Sequence, residues 1–113
     1  MNPVLREERV LPYPAGEVFA ALRAGRWAAR GMTDDRWRDG DAQGRILKEN
    51  EPRSLTVSHV RDGVETRVFF VLVEGTEGTR LEVLHTLFPD SATRDAERAA
   101  WQERWRRLED ALR

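Results

Sequence analysis

The sequence predicts an α+β fold in which a curved antiparallel sheet of five to six strands grips a long C-terminal helix. Strand-like segments follow one another after Gly44, with a strong two-residue turn signal at Asp62-Gly63 and a longer hairpin loop at Gly75 to Gly78. Near the C-terminus, apolar residues recur with the spacing of one helical stripe, at Trp101, Trp105, Leu108 and Leu112. With 113 residues, the chain has the length of one domain, residues 1–113.

The first part of the chain is predicted to contain a strand, a short helix and an irregular segment. Val4 to Leu11 has apolar ends and charged residues between them, which suits an edge strand. Prolines end this strand, and a short amphipathic helix runs from Pro14 to about Gly25. The segment Arg26 to Gly44 is rich in Gly and Asp, so it is expected to be a loop held down by Trp27 and Trp37.

Four strands and the long helix are predicted after this segment. The strands span Arg45 to Glu49, Leu55 to Val60, Glu65 to Glu74 and Thr79 to Phe88. Tight turns between them make the run an antiparallel meander. Asp90 or Ser91 is predicted to cap the helix, and its charged residues, Arg104 among them, are assigned to faces away from the apolar stripe.

The composition excludes several classes of function. The 19 basic and 20 acidic residues give a formal charge of -1, so no nucleic-acid partner is expected. The absence of cysteine excludes disulfides and thiolate nucleophiles. No apolar run approaches the roughly 20 residues of a membrane helix, and no signal-peptide-like segment occurs, so a cytoplasmic location is expected.

No cofactor or metal is expected either. Neither a phosphate-binding glycine loop nor a nucleophile elbow occurs in the sequence. The chain has two histidines, and no inward carboxylate is expected near them, which leaves fewer ligands than catalytic zinc sites take from protein. No catalytic residue is therefore assigned.

Strand alternation predicts which side chains face the helix. The inward sets are Leu55, Val57 and His59; Val68, Phe70 and Leu72; and Leu81, Val83 and His85. With two tryptophans of the helix they would form an apolar chamber that contains two imidazoles. The candidate ligand-binding residues are Val57, His59, Phe70, Val83, His85, Trp101 and Trp105.

Two interpretations of the histidines remain open. His59 and His85 would orient an anionic or polar ligand, or exchange a proton near neutral pH. Alternatively, each is a buried neutral imidazole with a backbone or tryptophan partner, which is the favoured interpretation. The same choice applies to Trp101 and Trp105, which would stack on a ligand or simply form core, and core is favoured.

The outer face of the sheet is also predicted to be apolar. Its apolar residues are Phe69, Val71, Val73 and Leu84. Such a patch would be either a homodimer interface or a surface covered by the segment Arg26 to Gly44.

Four segments carry a resemblance to a known family: Pro14 to Leu22 (PAGEVFAAL), Gly44 to Leu55 (GRILKENEPRSL), Gly78 to His85 (GTRLEVLH) and Ala100 to Leu112 (AWQERWRRLEDAL). On these motifs the chain resembles the helix-grip (SRPBCC) superfamily, which includes START and Bet v 1-like domains. Within it, the chain looks like the bacterial relatives of the C-terminal domain of the activator of the heat-shock-protein-90 ATPase. The family usually has a longer segment than Arg26 to Gly44, which implies a sheet that lacks one strand.

The resemblance and the apolar chamber together imply a non-catalytic domain that binds a small apolar or amphipathic molecule between helix and sheet. The alternative is a protein-interaction module with a filled core, similar to the co-chaperone role for which the family is named. It would act through the outer face (Phe69, Val71 and Leu84) or the Arg-rich helix surface. An enzyme of the same superfamily, such as a cyclase or hydrolase, would need both histidines in an open pocket.

Overall fold

Segments of alternating apolar and polar residues form one curved antiparallel sheet in the computed structural model, which describes residues 3–113. Its strands are β1 (Leu5–Leu11), β2 (Met32–Thr33), β3 (Arg36–Asp39), β4 (Ala42–Asn50), β5 (Ser54–Arg61), β6 (Val64–Gly75) and β7 (Gly78–Thr86). The order across the sheet is β1-β7-β6-β5-β4-β3-β2. Helices α1 (Ala15–Arg23) and α2 (Ser91–Leu112) complete the fold. The predicted fold class is therefore confirmed.

The sheet has seven strands within residues 3–113 rather than the predicted five to six, because the segment Arg26 to Gly44 is not irregular. It contains β2, β3 and the start of β4. In β3, Trp37 and Asp39 are buried while Arg36 and Arg38 are exposed. Alternation over four residues is too short a signal to recognise among neighbouring Gly and Asp residues. Burial of the tryptophan, rather than local propensity, decides that this segment is a strand.

The inner face of the sheet and one face of α2 form the apolar core. All nine side chains predicted to face inward are at most 6% exposed, which confirms the predicted register of β5, β6 and β7. The helices add the buried residues Val18, Phe19, Leu22, Trp101, Trp105 and Leu108.

Trp27 and Trp37 extend this core between α2 and the sheet. The ring centroid of Trp27 lies 4.9 Å from that of Trp37, 5.3 Å from that of Phe70 and 6.2 Å from that of Trp101. Both residues are at most 2% exposed. Their packing on the inner face leaves the outer face uncovered by their segment, and Val71 there is 37% exposed. The homodimer interface on that face stays a prediction.

The C-terminal helix begins where the sequence predicts. Asp90 is its N-cap, and the Asp90 Oδ1 atom accepts a hydrogen bond from the Thr93 backbone nitrogen at 2.8 Å. Among residues 3–113, neither helix has the length and apolar character needed to cross a membrane.

Candidate functional site

Charged side chains lie at the centre of the interface between α2 and the sheet. Glu97 is 3% exposed and Arg104 is fully buried, and both lie on the same side of α2 as Trp101. The prediction that Arg104 lies away from the apolar stripe is wrong. It is three residues after Trp101, and residues at i and i+3 share one face of a helix. The inward face of α2 therefore carries charge as well as aromatic rings.

Five side chains form a continuous hydrogen-bonded chain between α2 and the sheet, which we call the relay. Trp101 Nε1 donates to His85 Nδ1 at 3.0 Å, and His85 Nε2 lies 2.7 Å from Thr66 Oγ1. Thr66 Oγ1 lies 3.2 Å from His59 Nδ1, and His59 Nε2 lies 3.1 Å from Glu97 Oε1. All four ring nitrogens of the two imidazoles therefore have a protein partner.

The protonation states of two groups determine the direction of the bonds in the relay. Burial lowers the pKa of His85 to about 2, and the nearby His59 adds to this effect, so His85 is neutral at pH 7. Its Nδ1 accepts from Trp101, so its one proton is on Nε2. Burial opposes ionisation of Glu97, but the hydrogen bond from His59 and the contacts of two arginines outweigh it and lower the pKa of Glu97 to about 2. A carboxylate only accepts, so His59 Nε2 donates to Glu97.

Three arginines and two carboxylates form an ion cluster at the Glu97 end of the relay. Arg61 Nε donates to Glu97 Oε2 at 2.6 Å, and Arg104 Nη1 lies 3.5 Å from Glu97 Oε1. Arg104 Nε and Arg107 Nη1 donate to the two oxygens of Asp39, each at 2.8 Å. Burial opposes ionisation of Asp39, but the hydrogen bond from Arg104 outweighs it and lowers the pKa of Asp39. The cluster joins α2 to β3 and β5.

The ion cluster also corrects one expectation about metal ligands. An inward carboxylate, Glu97, does lie beside His59, although none was expected there. Its oxygens are occupied by His59 and by two arginines. Within residues 3–113, no group of three or more His, Cys, Asp or Glu side chains has an arrangement that could hold a metal ion.

An open cleft of about 380 Å³ lies beside the relay, between the first turns of α2 and the hairpin that joins β5 to β6. Its apolar walls are formed by Val64, Phe88, Ala92 and Ala96. Its polar lining consists of His59, Arg61, Asp62, Thr66, Thr93 and Glu97. The volume lies within the range of small-molecule sites, about 300–1,000 Å³.

Of the seven predicted ligand-binding residues, His59 alone lines this cleft. The structure does bring His59, His85 and Trp101 together, with 4.6 Å between the two imidazole centroids and 6.0 Å from His85 to Trp101. Six of the seven are core residues that are at most 3% exposed: Val57, Phe70, Val83, His85, Trp101 and Trp105. Their contact with a ligand stays a prediction.

Sequence reasoning did not assign the other nine cleft residues to a site, and four of them matter most here: Arg61, Thr66, Phe88 and Glu97. Arg61 and Thr66 have a usable signal, because each is two positions from an inward residue of its strand. Glu97 is one helical turn before Trp101, which places both on one face. Phe88 has no such signal. Leu87, with φ 68°, breaks the alternation of β7 and turns the next side chain inward.

The neutral, buried His85 predicts a loss of stability in mild acid. The free energy of unfolding should fall as the pH is lowered from 7 to 5, because the unfolded chain binds a proton at this residue and the folded protein does not. The slope approaches about 1.4 kcal/mol per pH unit below the unfolded pKa of about 6.5. Urea unfolding at several pH values measures it. For His85→Gln, the dependence of the unfolding free energy on pH should be weaker by the equivalent of about one proton, or about 1.4 kcal/mol per pH unit. Equal pH dependence in both proteins would contradict the neutral state of His85.

An antiparallel sheet around a long C-terminal helix, with a cleft beside that helix, defines a protein of the helix-grip class. The model of the family described as Activator of Hsp90 ATPase homolog 1-like protein matches residues 6–113. The chain belongs to this family, and the resemblance found in the sequence is confirmed.

Solved structures share the fold. A protein from Mesorhizobium loti is 17% identical, with 97% of this chain and 96% of that chain covered and a TM-score of 0.80. The AHSA1 protein from Silicibacter pomeroyi is 19% identical, with 97% of each chain covered and a TM-score of 0.76. CalU16 from Micromonospora echinospora is 24% identical, with 96% of this chain and 74% of that chain covered and a TM-score of 0.70. These identities show likeness of fold alone. No curated protein matches the sequence.

Proposed function

We propose that the protein is a non-catalytic cytoplasmic domain that binds a small apolar or amphipathic molecule in the cleft between α2 and the β5–β6 hairpin. The observation that supports this is the cleft itself, which combines a volume of about 380 Å³ with apolar walls and a few polar groups. The proposal moves the ligand from the predicted chamber to this cleft and keeps His59 as a contact.

The geometry of the relay favours binding over acid–base catalysis. A general base needs an atom within hydrogen-bond reach of the substrate proton that it abstracts. Every ring nitrogen of His59 and His85 is already bonded to protein, and Glu97 is bonded to His59 and Arg61. In the proposal, the relay holds α2 against the sheet and thereby keeps the shape of the cleft.

Small residues on α2 keep the cleft open. Ala92 and Ala96 lie one turn apart on the helix, and both are exposed. Phe88 is 1% exposed and forms an apolar wall whose ring is buried in the core. A ligand in the cleft would therefore remove alanine and valine surface from water beside a buried aromatic ring.

Filling the cleft should weaken ligand binding without unfolding the protein. We expect Ala96→Trp to weaken binding of the neutral fluorescent probe N-phenyl-1-naphthylamine at least about tenfold, because the indole would occupy the volume that the probe needs. Fluorescence titration measures the dissociation constant, and circular dichroism verifies the fold.

The matched control is Ala99→Trp, the same change at an exposed alanine of the same helix that does not line the cleft. It should bind the probe like the unmodified protein. Equal affinities in the two variants, or no binding by the unmodified chain, would contradict the proposal and favour the second function below.

The second function is a protein-interaction module. Two observations favour it: six predicted ligand contacts are buried in a filled core, and the outer sheet face exposes Val71 and Val73, which are 37% and 48% exposed. The name of the family refers to an activator of the Hsp90 ATPase. In this alternative a partner protein or a second copy would bind the outer face.

A further inference from the structure

We propose that the molecule in the cleft carries an anionic head group of the carboxylate type, and that the guanidinium of Arg61 binds it. The inference rests on the proposed function, because it names the ligand class of the same cleft. Its support comes from the geometry of Arg61 and from the charges and hydrogen bonds of the ion cluster behind it.

Arg61 is the cationic side chain of the cleft lining. It is the last residue of β5, and its side chain is 31% exposed. Its Nε atom donates to Glu97 at 2.6 Å, which orients the guanidinium plane. Neither of its η nitrogens is bonded to an acceptor within residues 3–113. A guanidinium matches the two oxygens of a carboxylate in a planar, bidentate arrangement, so the η donors remain for a ligand.

The ion cluster favours an anion over a cation. It has three guanidinium groups (Arg61, Arg104 and Arg107) against two carboxylates, so it carries one positive charge in excess. Both carboxylates accept hydrogen bonds from these arginines, whereas the Nη1 and Nη2 atoms of buried Arg104 have no hydrogen-bond partner in the described part of the chain. Of the arginines of the cluster, only Arg61 lines the cleft, and its η nitrogens are donors without an acceptor within residues 3–113, which a negative group complements.

Asp62 also lines the cleft and opposes this preference. It lies in the hairpin turn with Gly63, where the φ angles are 53° and 77°, and it is exposed to water. Water screens a carboxylate at this rim more strongly than it screens the half-buried Arg61. Arg61 and Asp62 have opposite charges, so substitutions at these two residues of the cleft should change the affinity for an anion in opposite directions.

Three probes with the same eight-carbon chain distinguish the head group: octanoate, octan-1-ol and octylamine, measured by isothermal titration calorimetry. Octanoate should bind the tightest. Arg61→Gln should weaken octanoate binding roughly tenfold and octan-1-ol binding much less, because only the anionic head group loses a hydrogen-bonded charge pair. Arg61→Lys, which keeps the charge but not the planar fork, should have an intermediate affinity. Asp62→Asn should bind octanoate about two- to threefold more tightly, because a like charge is removed.

The matched control is Arg98→Gln, which changes the net charge equally but affects an exposed arginine of α2 that does not line the cleft. It should bind octanoate like the unmodified protein, and an equal loss in both Gln variants would overturn the role of Arg61. Equal affinity for octanoate and octan-1-ol, or a preference for octylamine, would overturn the anionic head group while the proposed function stands. Binding of none of the three probes would overturn both proposals.

Discussion

Arg104→Met is expected to lower the free energy of unfolding by about 3–5 kcal/mol, the cost of leaving buried charges without their partner. Arg104 is fully buried, contacts Asp39 at 2.8 Å and Glu97 at 3.5 Å, and its Cζ lies 4.8 Å from the centroid of the Trp101 ring. Methionine would replace part of the packing but none of the charge. Two carboxylates would then remain in the core with less compensation. Urea unfolding at pH 7 measures the change.

Arg106→Met is the matched control, because its side chain is 64% exposed on the same helix. It should change the free energy of unfolding by less than about 0.5 kcal/mol. Adding Asp39→Asn to Arg104→Met should restore part of the lost stability, because one uncompensated charge is removed. Equal free energies of unfolding for the two single Met variants would show that the ion cluster does not contribute to stability.

Gly44→Ala is expected to lower the free energy of unfolding by about 3 kcal/mol, through overpacking and the loss of a buried hydrogen bond. The indole of Trp37 in β3 crosses β4 at Gly44 and donates from Nε1 to the Ser58 carbonyl oxygen of β5 at 3.0 Å. A Cβ at Gly44 would overlap that oxygen and would lie 2.6 Å from Nε1. The backbone of β5 cannot move away from this Cβ without a large cost in free energy, since Gly44 lies inside the sheet. Chemical denaturation monitored by tryptophan fluorescence measures the effect.

The same substitution at Gly16 is the control. Gly16 lies in α1, and a Cβ there would meet no atom within 4 Å. Alanine is the better helix former, so Gly16→Ala should raise the free energy of unfolding by up to about 1 kcal/mol. If Gly44→Ala had as little effect on the free energy of unfolding as Gly16→Ala, the position assigned to Trp37 over β4 would be wrong.

The strands that the sequence predicts well are long and alternate regularly. In β5, β6 and β7 each inward residue is followed by an outward one for at least eight positions, and the turn at Asp62-Gly63 sets the register between two of these strands. β3 differs because it has four residues and its identity depends on the core that receives Trp37. A local pattern contains no information on a partner that is distant in the chain.

The candidate site, like the fold, could be predicted from the sequence only in part. The inward positions of His59 and His85 follow from strand alternation, and the structure confirms both. The relay does not follow from alternation, because it needs Thr66 in β6 and Glu97 in α2 to meet His59 in β5. The cleft depends in addition on Phe88, whose inward direction results from the backbone at Leu87.

By itself, the sequence determined the α+β class, the register of the central strands and the beginning of α2, since each depends on periodicity or capping among neighbouring residues. Only the tertiary structure decided that Arg104 is buried and that the space between α2 and the sheet is filled by Trp27 and Trp37. It also placed the open cleft at the β5–β6 hairpin. The physical reason is that burial of a charge or an indole depends on partners that are distant in the chain: Arg104 and Asp39 are 65 residues apart, and Trp105 and Glu7 are 98 apart.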